Sequence, residues 1–465
     1  MAVSDVVVLL PGISGSTLSK DGKVVWGADL GGIWRVIKSG GDSIRSLALT
    51  HGDDPAEDDI DGVEATSLIP DLHLIPGLWK IDGYSKVGNC LVERLKLKRG
   101  QNFFEFPYDW RRDNRVASRK LGLFARQKLK AWRETSGATG AKLVFVAHSM
   151  GGLVARGFMD GPDEGWRDTR ALITLGTPHR GSLNALGYLA NGFTKGVGPL
   201  RLDLADTMRT FTGLYQLLPR YPCIDRGDSK LLRVSETPGL PNIDPGRAKA
   251  SLEFYEDLER SHMRSAAQLD YDAQAPRWFP VMGTFQPTKQ SAQFGGESLA
   301  LLETRCGKDD GGDGTVPRAS ATPMHMADEW VGMLANQLHG SLQNDDAVLE
   351  HVVAVVAGLD IKFSSYRAKF EVALDLADVY AADAPVTLRA KAEPAVSTLE
   401  LDLYDASEPA GRETVRLGQI TLHETGDGGL AKEVSLGEGA YRVVAGGTAS
   451  VAPVADCFMV VGGGL

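Results

Sequence analysis

Short runs of apolar, β-branched residues recur through the first 360 residues, separated by longer stretches with apolar positions every three to four residues. Val6-Val7-Val8-Leu9-Leu10 is apolar at every position. That pattern predicts a strand buried on both faces, as in a parallel sheet, because a strand with one wet face alternates. Leu143-Val144-Phe145-Val146 and Ala171-Leu172-Ile173-Thr174-Leu175 repeat it, and strand rhythm returns at Phe279–Thr284. Between them, residues 84–97 and 115–134 read as helices; in the second, Leu121, Phe124, Ala125, Leu129 and Trp132 form one apolar stripe against Arg and Lys. A helix is expected to begin near Gly151. Another is expected over 345–358, with Asn344 or Asp345 as its N-cap. Strand, helix and strand joined by short connections imply a parallel sheet with helices on both faces, an α/β fold.

Two stretches break this rhythm. Over about 183–277 the strands stop and helical segments with Pro-Gly breaks such as Pro238-Gly239-Leu240-Pro241 take their place, which predicts an inserted, mostly helical cap. Leu200, Leu204, Phe211, Leu214, Tyr215, Leu217 and Leu218 make that cap apolar. Over about 45–80, Leu, Ile, Pro and Trp79 mix without a clear period and suit a lid or flap. Its acidic run, residues 52–61, matches no calcium loop and is expected to be a solvated surface loop.

Beyond 363 the pattern changes to strict alternation. Val386, Leu388, Ala390 and Ala392 alternate with Thr387, Arg389 and Lys391, and Leu399, Leu401 and Leu403 with Glu400 and Asp402. Further pieces at 414–422 and 432–444 predict an all-β sandwich, immunoglobulin-like or transthyretin-like. The expected organisation is a catalytic α/β domain over 1–362 and a β-sandwich over 363–465.

A length of 465 residues agrees with two cores. A net charge of −10 argues against nucleic acid as a partner, since phosphate binding needs clustered Lys and Arg. It also disfavours strong electrostatic docking on anionic lipid, while transient hydrophobic contact with a membrane surface stays open. Cys90, Cys223, Cys306 and Cys457 are scattered and show neither zinc spacing nor a disulfide framework. With no basic segment ahead of Val6, a cytoplasmic location is expected.

Candidate chemistry centres on Ala147-His148-Ser149-Met150-Gly151, directly after an apolar run. A strand ending in small-His-Ser-x-Gly predicts a sharp strand-to-helix turn that lifts a serine hydroxyl above the sheet. A serine hydroxyl is a poor nucleophile unaided; it needs an imidazole to take its proton and a carboxylate to hold that imidazole. Asp313 sits in the tight turn Gly311-Gly312-Asp313-Gly314-Thr315-Val316-Pro317, with Asp309 and Asp310 as nearby alternatives. His339 lies ahead of the last helix of this domain and fits the base; His325 and His351 suit structural places better. His148 adjoins the serine, points away from it and is expected to pack beneath the turn. Two backbone N–H groups are needed for the developing oxyanion. Met150 follows the nucleophile, and Ile13 lies in the loop Pro11-Gly12-Ile13-Ser14-Gly15-Ser16 after the first strand. No metal or organic cofactor is required.

Several segments, taken in order, carry a family resemblance: Pro11-Gly12-x-x-Gly15-Ser16-x-Leu18, Phe106-Pro107-Tyr108-Asp109-Trp110-Arg111, Ala147–Gly152, Leu175–Ser182 and Gly312–Val316. Over roughly 5–360 the chain resembles the lecithin:cholesterol acyltransferase family of α/β-hydrolases. The resemblance implies a Ser149, Asp313 and His339 triad with Ile13 and Met150 as oxyanion donors. It also puts Asp109, Trp110 and Arg111 beside the site as a supporting loop; from the residues alone they equally suit a buried ion pair under an aromatic. The 45–80 segment holds no cysteine, so the disulfide-tethered lid of secreted animal members does not carry over. The expected activity is hydrolysis of an acyl ester or lipid through an acyl-serine. The alternatives are transfer of the acyl group to an alcohol, or an idle scaffold whose β-sandwich binds a partner or surface.

Overall fold

The computed structural model describes residues 3–27, 45–50, 52–70, 73–75, 79–192, 194–195, 202–227, 230–296, 298–327, 332–359, 371–406, 415–446 and 453–462. The domain boundary expected at 362/363 and Leu200 of the cap lie outside these residues.

Six strands build the central sheet: β1 (Val6–Leu10), β2 (Phe103–Glu105), β3 (Leu143–His148), β4 (Thr169–Leu175), β5 (Arg277–Gly283) and β6 (Met333–Ala335). Their order is β6-β5-β4-β3-β1-β2, and every pairing is parallel. Alternate side chains enter opposite cores, as the pleat requires. Val6, Val8 and Leu10 pack with Leu143, Phe145 and Ala147 on one face, and Val7 and Leu9 with Val144 and Val146 on the other. Helices α2 (Asn114–Ser136) and α3 (Gly151–Met159) cover the first face through Leu121, Ala125, Leu129, Leu153, Val154 and Phe158. Helices α1 (Ser85–Leu95) and α6 (Asp346–Val356) cover the second through Val87, Leu91, Val348 and Val352. Asp113 caps α2 by accepting from Arg115 N at 2.8 Å, and Gly137 ends it at φ 73°. The chain leaves β1 for β2 on one side and returns to β3 on the other. That reversal opens a crevice beyond the C-terminal ends of β1 and β3, where sites form in open α/β sheets.

The cap region holds α4 (Leu183–Asn191), α5 (Pro245–Ala266) and short helices at Ala205–Met208 and Thr212–Tyr215, so its helical character is as expected. It also carries small strands: Ile224–Asp225 pairs with Leu231–Leu232 and with Ser291–Phe294. In the 45–80 segment, Val63–Leu68 pairs antiparallel with Ser16–Lys20.

The C-terminal domain has eight strands: β7 (Glu371–Asp375), β8 (Val379–Ala381), β9 (Val386–Glu393), β10 (Thr398–Asp405), β11 (Arg416–Glu424), β12 (Leu430–Val434), β13 (Gly439–Ala445) and β14 (Val454–Val461). They form one continuous sheet, β7-β9-β12-β11-β10-β13-β14-β8, antiparallel except for β8 with β14. Alternation puts Val386, Leu388, Leu401, Leu403, Leu422 and Val443 in its core, as the pattern predicts. The sheet curls on itself to enclose that core, where the expected sandwich would use two separate sheets.

The acidic run is exposed at Gly52, Asp54 and Ala56–Asp59, as expected of a surface loop, but buried arginines anchor it. Arg112 lies inside it, bonded to the Asp53 carboxylate at 2.9 Å and to the carbonyls of Asp54, Glu57 and Asp58. Arg111, with no exposed surface, holds Asp61 and Asp109 by paired contacts and donates to Leu47 O. A guanidinium presents a planar fork of donors, which suits two carboxylates and several carbonyls at once. The acids therefore neutralise buried cations and tie the loop to the main body. Arg111→Met leaves both carboxylates facing an apolar side chain and is expected to destabilise the domain by about 3–5 kcal/mol. All eight tryptophans precede residue 331, so the urea midpoint read by tryptophan fluorescence reports this part of the chain and checks the loss.

Candidate active site

Ser149 stands at the junction of β3 and α3 with φ 51°, a left-handed conformation that is strained for a residue with a side chain. Neighbouring glycine makes the turn feasible: a Cβ on Gly151 would meet Pro11 O at 2.4 Å. Ser149 N donates to Leu175 O at 2.8 Å, which pins the turn to β4.

His339 Nε2 lies 2.9 Å from Ser149 Oγ, and His339 Nδ1 lies 2.7 Å from Asp313 Oδ2. The second contact makes Nδ1 the protonated nitrogen, leaving the Nε2 lone pair to accept from the hydroxyl. Asp313 has no exposed surface. Its other oxygen accepts from Thr315 N at 2.9 Å and Val316 N at 2.6 Å, and its carbonyl accepts from His339 N at 2.8 Å. A buried carboxylate needs such donors to stay ionised. The β4 end makes room for the pair: Gly176 takes φ 61°, and a Cβ there would sit 2.8 Å from Asp313 Oδ2 and 2.9 Å from His339 Nδ1. Of the alternatives, Asp309 bonds Gln290 and Gly311 N, His325 stacks on His262 at 4.1 Å, and His351 packs in α6.

Ile13 and Met150 are buried, and among the described residues neither of their N–H groups donates a hydrogen bond. A buried N–H without an acceptor is costly and suits a ligand oxygen; Ile13 lines the cleft over Ser149, and Met150 follows the serine directly. The cleft over Ser149 is lined by Ile13, Pro178, Ser182, Asn184, Ala185, Tyr188, Leu214, Leu217, Thr315 and Val316. It is mostly apolar, with a few polar groups near the hydroxyl.

Asp109, Trp110 and Arg111 do not line this cleft. Trp110 Nε1 donates to Ser16 O at 3.3 Å and its ring packs edge-on against Trp26 and Phe211. Arg111 serves the acidic loop. The motif thus braces the 11–16 loop from behind, and Tyr108 joins it by donating to Pro11 O at 2.9 Å.

One residue has no counterpart in the sequence reading. Tyr84 Oη accepts from Gly12 N at 2.8 Å and donates to His148 Nδ1 at 2.8 Å; His148 Nε2 donates to His339 O at 2.9 Å. A single buried chain thereby links the loop before Ile13 to the backbone of His339. Burial, with the nearby His339 adding to it, pushes His148 down to about 3, which keeps its ring neutral as the chain requires. Nothing marks Tyr84 in the sequence; only the small-His-Ser motif hints that position 148 has a partner.

Removing the Tyr84 hydroxyl strands Gly12 N–H and His148 Nδ1. Tyr84→Phe is expected to cost about 1–3 kcal/mol in a urea titration and to slow ester turnover by about tenfold or more. Burial also lowers His179 well below the ordinary imidazole range and His351 to about 4. The unfolded chain, with imidazoles near 6.5, takes up protons first as pH falls. Stability is therefore expected to decline from about pH 6.5 towards pH 4, by up to about 1.4 kcal/mol per pH unit for each such histidine, seen as a falling urea midpoint across that window.

The lecithin:cholesterol acyltransferase family model matches residues 79–235. That span includes Asp109–Arg111 and Ser149 but neither Ile13, Asp313 nor His339, and it is narrower than the resemblance read along the chain. The chain is 31% identical over 126 residues to the human (Homo sapiens) lysosomal phospholipase A and acyltransferase, covering 26% of this chain and 29% of that protein. It is 36% identical over 86 residues to phospholipase A(1) LCAT3 of Arabidopsis thaliana, covering 18% of each. The chain thus spans less than a third of the length of these two curated relatives. The mature lipase BlEst2 of Bacillus licheniformis aligns over 76% of this chain and 92% of its own, at 13% identity and a TM-score of 0.32. At that score the α/β-hydrolase assignment stands on the strand order and turn geometry above. Residues 79–235, which carry Asp109–Arg111 and Ser149, are similar to the lecithin:cholesterol acyltransferase family.

Proposed function

We propose that this protein is a serine carboxyl-ester hydrolase that acts on acyl-chain lipid esters. One observation carries the proposal: a hydroxyl on a strained turn, an imidazole 2.9 Å away and a buried carboxylate 2.7 Å beyond it form a single relay. The names of the relatives, a phospholipase A and acyltransferase and a phospholipase A(1), support lipid esters as the substrate class.

In this reading Ser149 Oγ attacks the ester carbonyl and passes its proton to His339 Nε2. The new Oγ–C bond makes a tetrahedral oxyanion, which the N–H groups of Ile13 and Met150 stabilise. Asp313 stabilises the imidazolium and holds its tautomer. The carbon–oxygen bond to the alcohol then breaks, and His339 returns its proton to the leaving oxygen. Water, activated by the same imidazole, attacks the acyl-serine and releases the fatty acid. Pro178, Ala185, Tyr188, Leu214 and Leu217 offer an apolar wall for the acyl chain. An alcohol in place of water would give acyl transfer by the same steps.

The four cysteines are all free, which supports a reducing compartment such as the cytoplasm. No helix among the described residues is long and apolar enough to cross a membrane.

The test is a p-nitrophenyl ester series from short to long chain, run on wild type and Ser149→Ala. Turnover is expected to increase with chain length and to fall by about 10⁴-fold or more in the variant, with loss of fluorophosphonate labelling. Retained turnover in Ser149→Ala would overturn the assignment. Added alcohol separates the two acceptors: free acid alone marks a hydrolase, and a new ester marks a transferase.

A further inference from the structure

Among the described residues, polar contacts join the C-terminal β-domain to the catalytic domain at Gln337, Gln286 and Asp82, each in or bonded to a loop that carries His339 or Asp313. Gln337, two residues before His339 and 3% exposed, donates from Nε2 to Pro453 O at 3.2 Å. Its Oε1 accepts from Ala455 N at 3.2 Å and from Leu338 N at 2.9 Å, so one side chain holds strand β14 and the backbone next to His339 together. Gln286, 1% exposed, donates from Nε2 to Val372 O on β7 at 2.9 Å. Its own N–H donates to Gly312 O at 3.1 Å, and it bridges the backbone of Asp313. Arg442 on β13 pairs with Asp82 at 3.0 Å, and Asp82 N donates to Gly340 O at 2.9 Å.

The apolar contacts agree. Strand β14 is buried along its whole length. Val454, Phe458 and Val460 point into the β-domain's own core, while Cys457, Met459 and Val461 join the hydrophobic cluster that runs through the catalytic domain. A strand buried on both faces makes the two domains one packed unit. The glutamines add direction to that packing, because a hydrogen bond constrains both distance and angle where apolar contact does not.

We propose that the β-domain is part of the catalytic apparatus, with Gln337, Gln286, Asp82 and Arg442 as positioning residues that hold the His339 and Asp313 loops in register with Ser149. This rests on the reading of Ser149, His339 and Asp313 as the catalytic triad. The His339 loop joins a three-residue edge strand, β6, to a 3₁₀ turn over His339–Asn344, which gives it little regular structure of its own. Bonds from the β-domain supply the constraint that a longer strand would otherwise give.

The experiment uses the full chain with Arg442→Leu, Arg442→Lys and Gln337→Met. Arg442→Leu and Gln337→Met are each expected to slow fluorophosphonate labelling and lower kcat by about tenfold to a hundredfold, with KM for p-nitrophenyl butyrate within about twofold. Arg442→Lys keeps a cation for Asp82 and is expected to recover most of the loss. Folded variants that label and turn over at the wild-type rate overturn the proposal. Hydrogen exchange on the wild-type chain supplies a measurement that needs no variant. The amides of Leu338, His339 and Ala455 are expected to open together as urea is raised, and independent exchange of the 338–341 backbone overturns the proposal. If Ser149→Ala keeps its activity the triad reading itself fails; if it is inactive while Arg442→Leu and Gln337→Met match wild type, only the positioning role fails.

Discussion

A carboxylate with no access to water governs the catalytic half of this molecule. Asp313 lies wholly inside, and a buried charge survives only where donors replace the solvent it has lost. Two backbone N–H groups and the Nδ1–H of His339 do so. Meeting that demand fixes much else. The Asp-Gly-Thr-Val turn must aim two amides at one oxygen, and Gly176 and Gly283 must be bare because a Cβ at either would collide with Asp313 or its partner. His339 must come back across the strand ends to complete the set, which brings its other nitrogen over Ser149.

The sheet's interior was the most legible part of the chain. Val6–Leu10, Leu143–His148 and Thr169–Leu175 have no wet face, and continuous apolar runs of that length have few other uses. The edge strands Phe103–Glu105 and Met333–Ala335 escaped notice because three residues are too few to show a period. Ser149, Asp313 and His339 could be picked out because each sits in a turn whose glycines constrain the backbone. Tyr84 could not: it is a lone tyrosine before a helix, and what singles it out is the proximity of Gly12 and His148, 72 and 64 residues away in sequence. The anchoring of the acidic run was hidden for a related reason. Its charges read as a solvated face, and the partners of Asp61 and Asp53, Arg111 and Arg112, come about 50 to 60 residues later.

The short turn over Asp82, Gly83 and Tyr84 is where these separate constraints meet. Asp82 reaches the β-domain and Gly340, Gly83 O accepts from Gln343 and Asn344, and Tyr84 reaches the loop over 11–16. The turn also adjoins the 45–80 segment that precedes it. Flap, β-domain, His339 loop and Ser149 elbow therefore share one small piece of backbone, so a displacement there would be felt in all four.

The separation along the chain of these partners bears on how the molecule comes together. Ser149 and His339 are 190 residues apart, and Asp82 and Arg442 are 360 apart. Bringing such distant segments together costs loop entropy before any contact repays it, and chains rich in such contacts fold slowly. Helices and hairpins can form early from neighbouring residues, but the relay cannot, since none of its members is local to another. A nucleophile assembled from remote parts stays unarmed in partly folded chains, and the onset of the proposed esterase activity then marks the close of folding rather than its collapse.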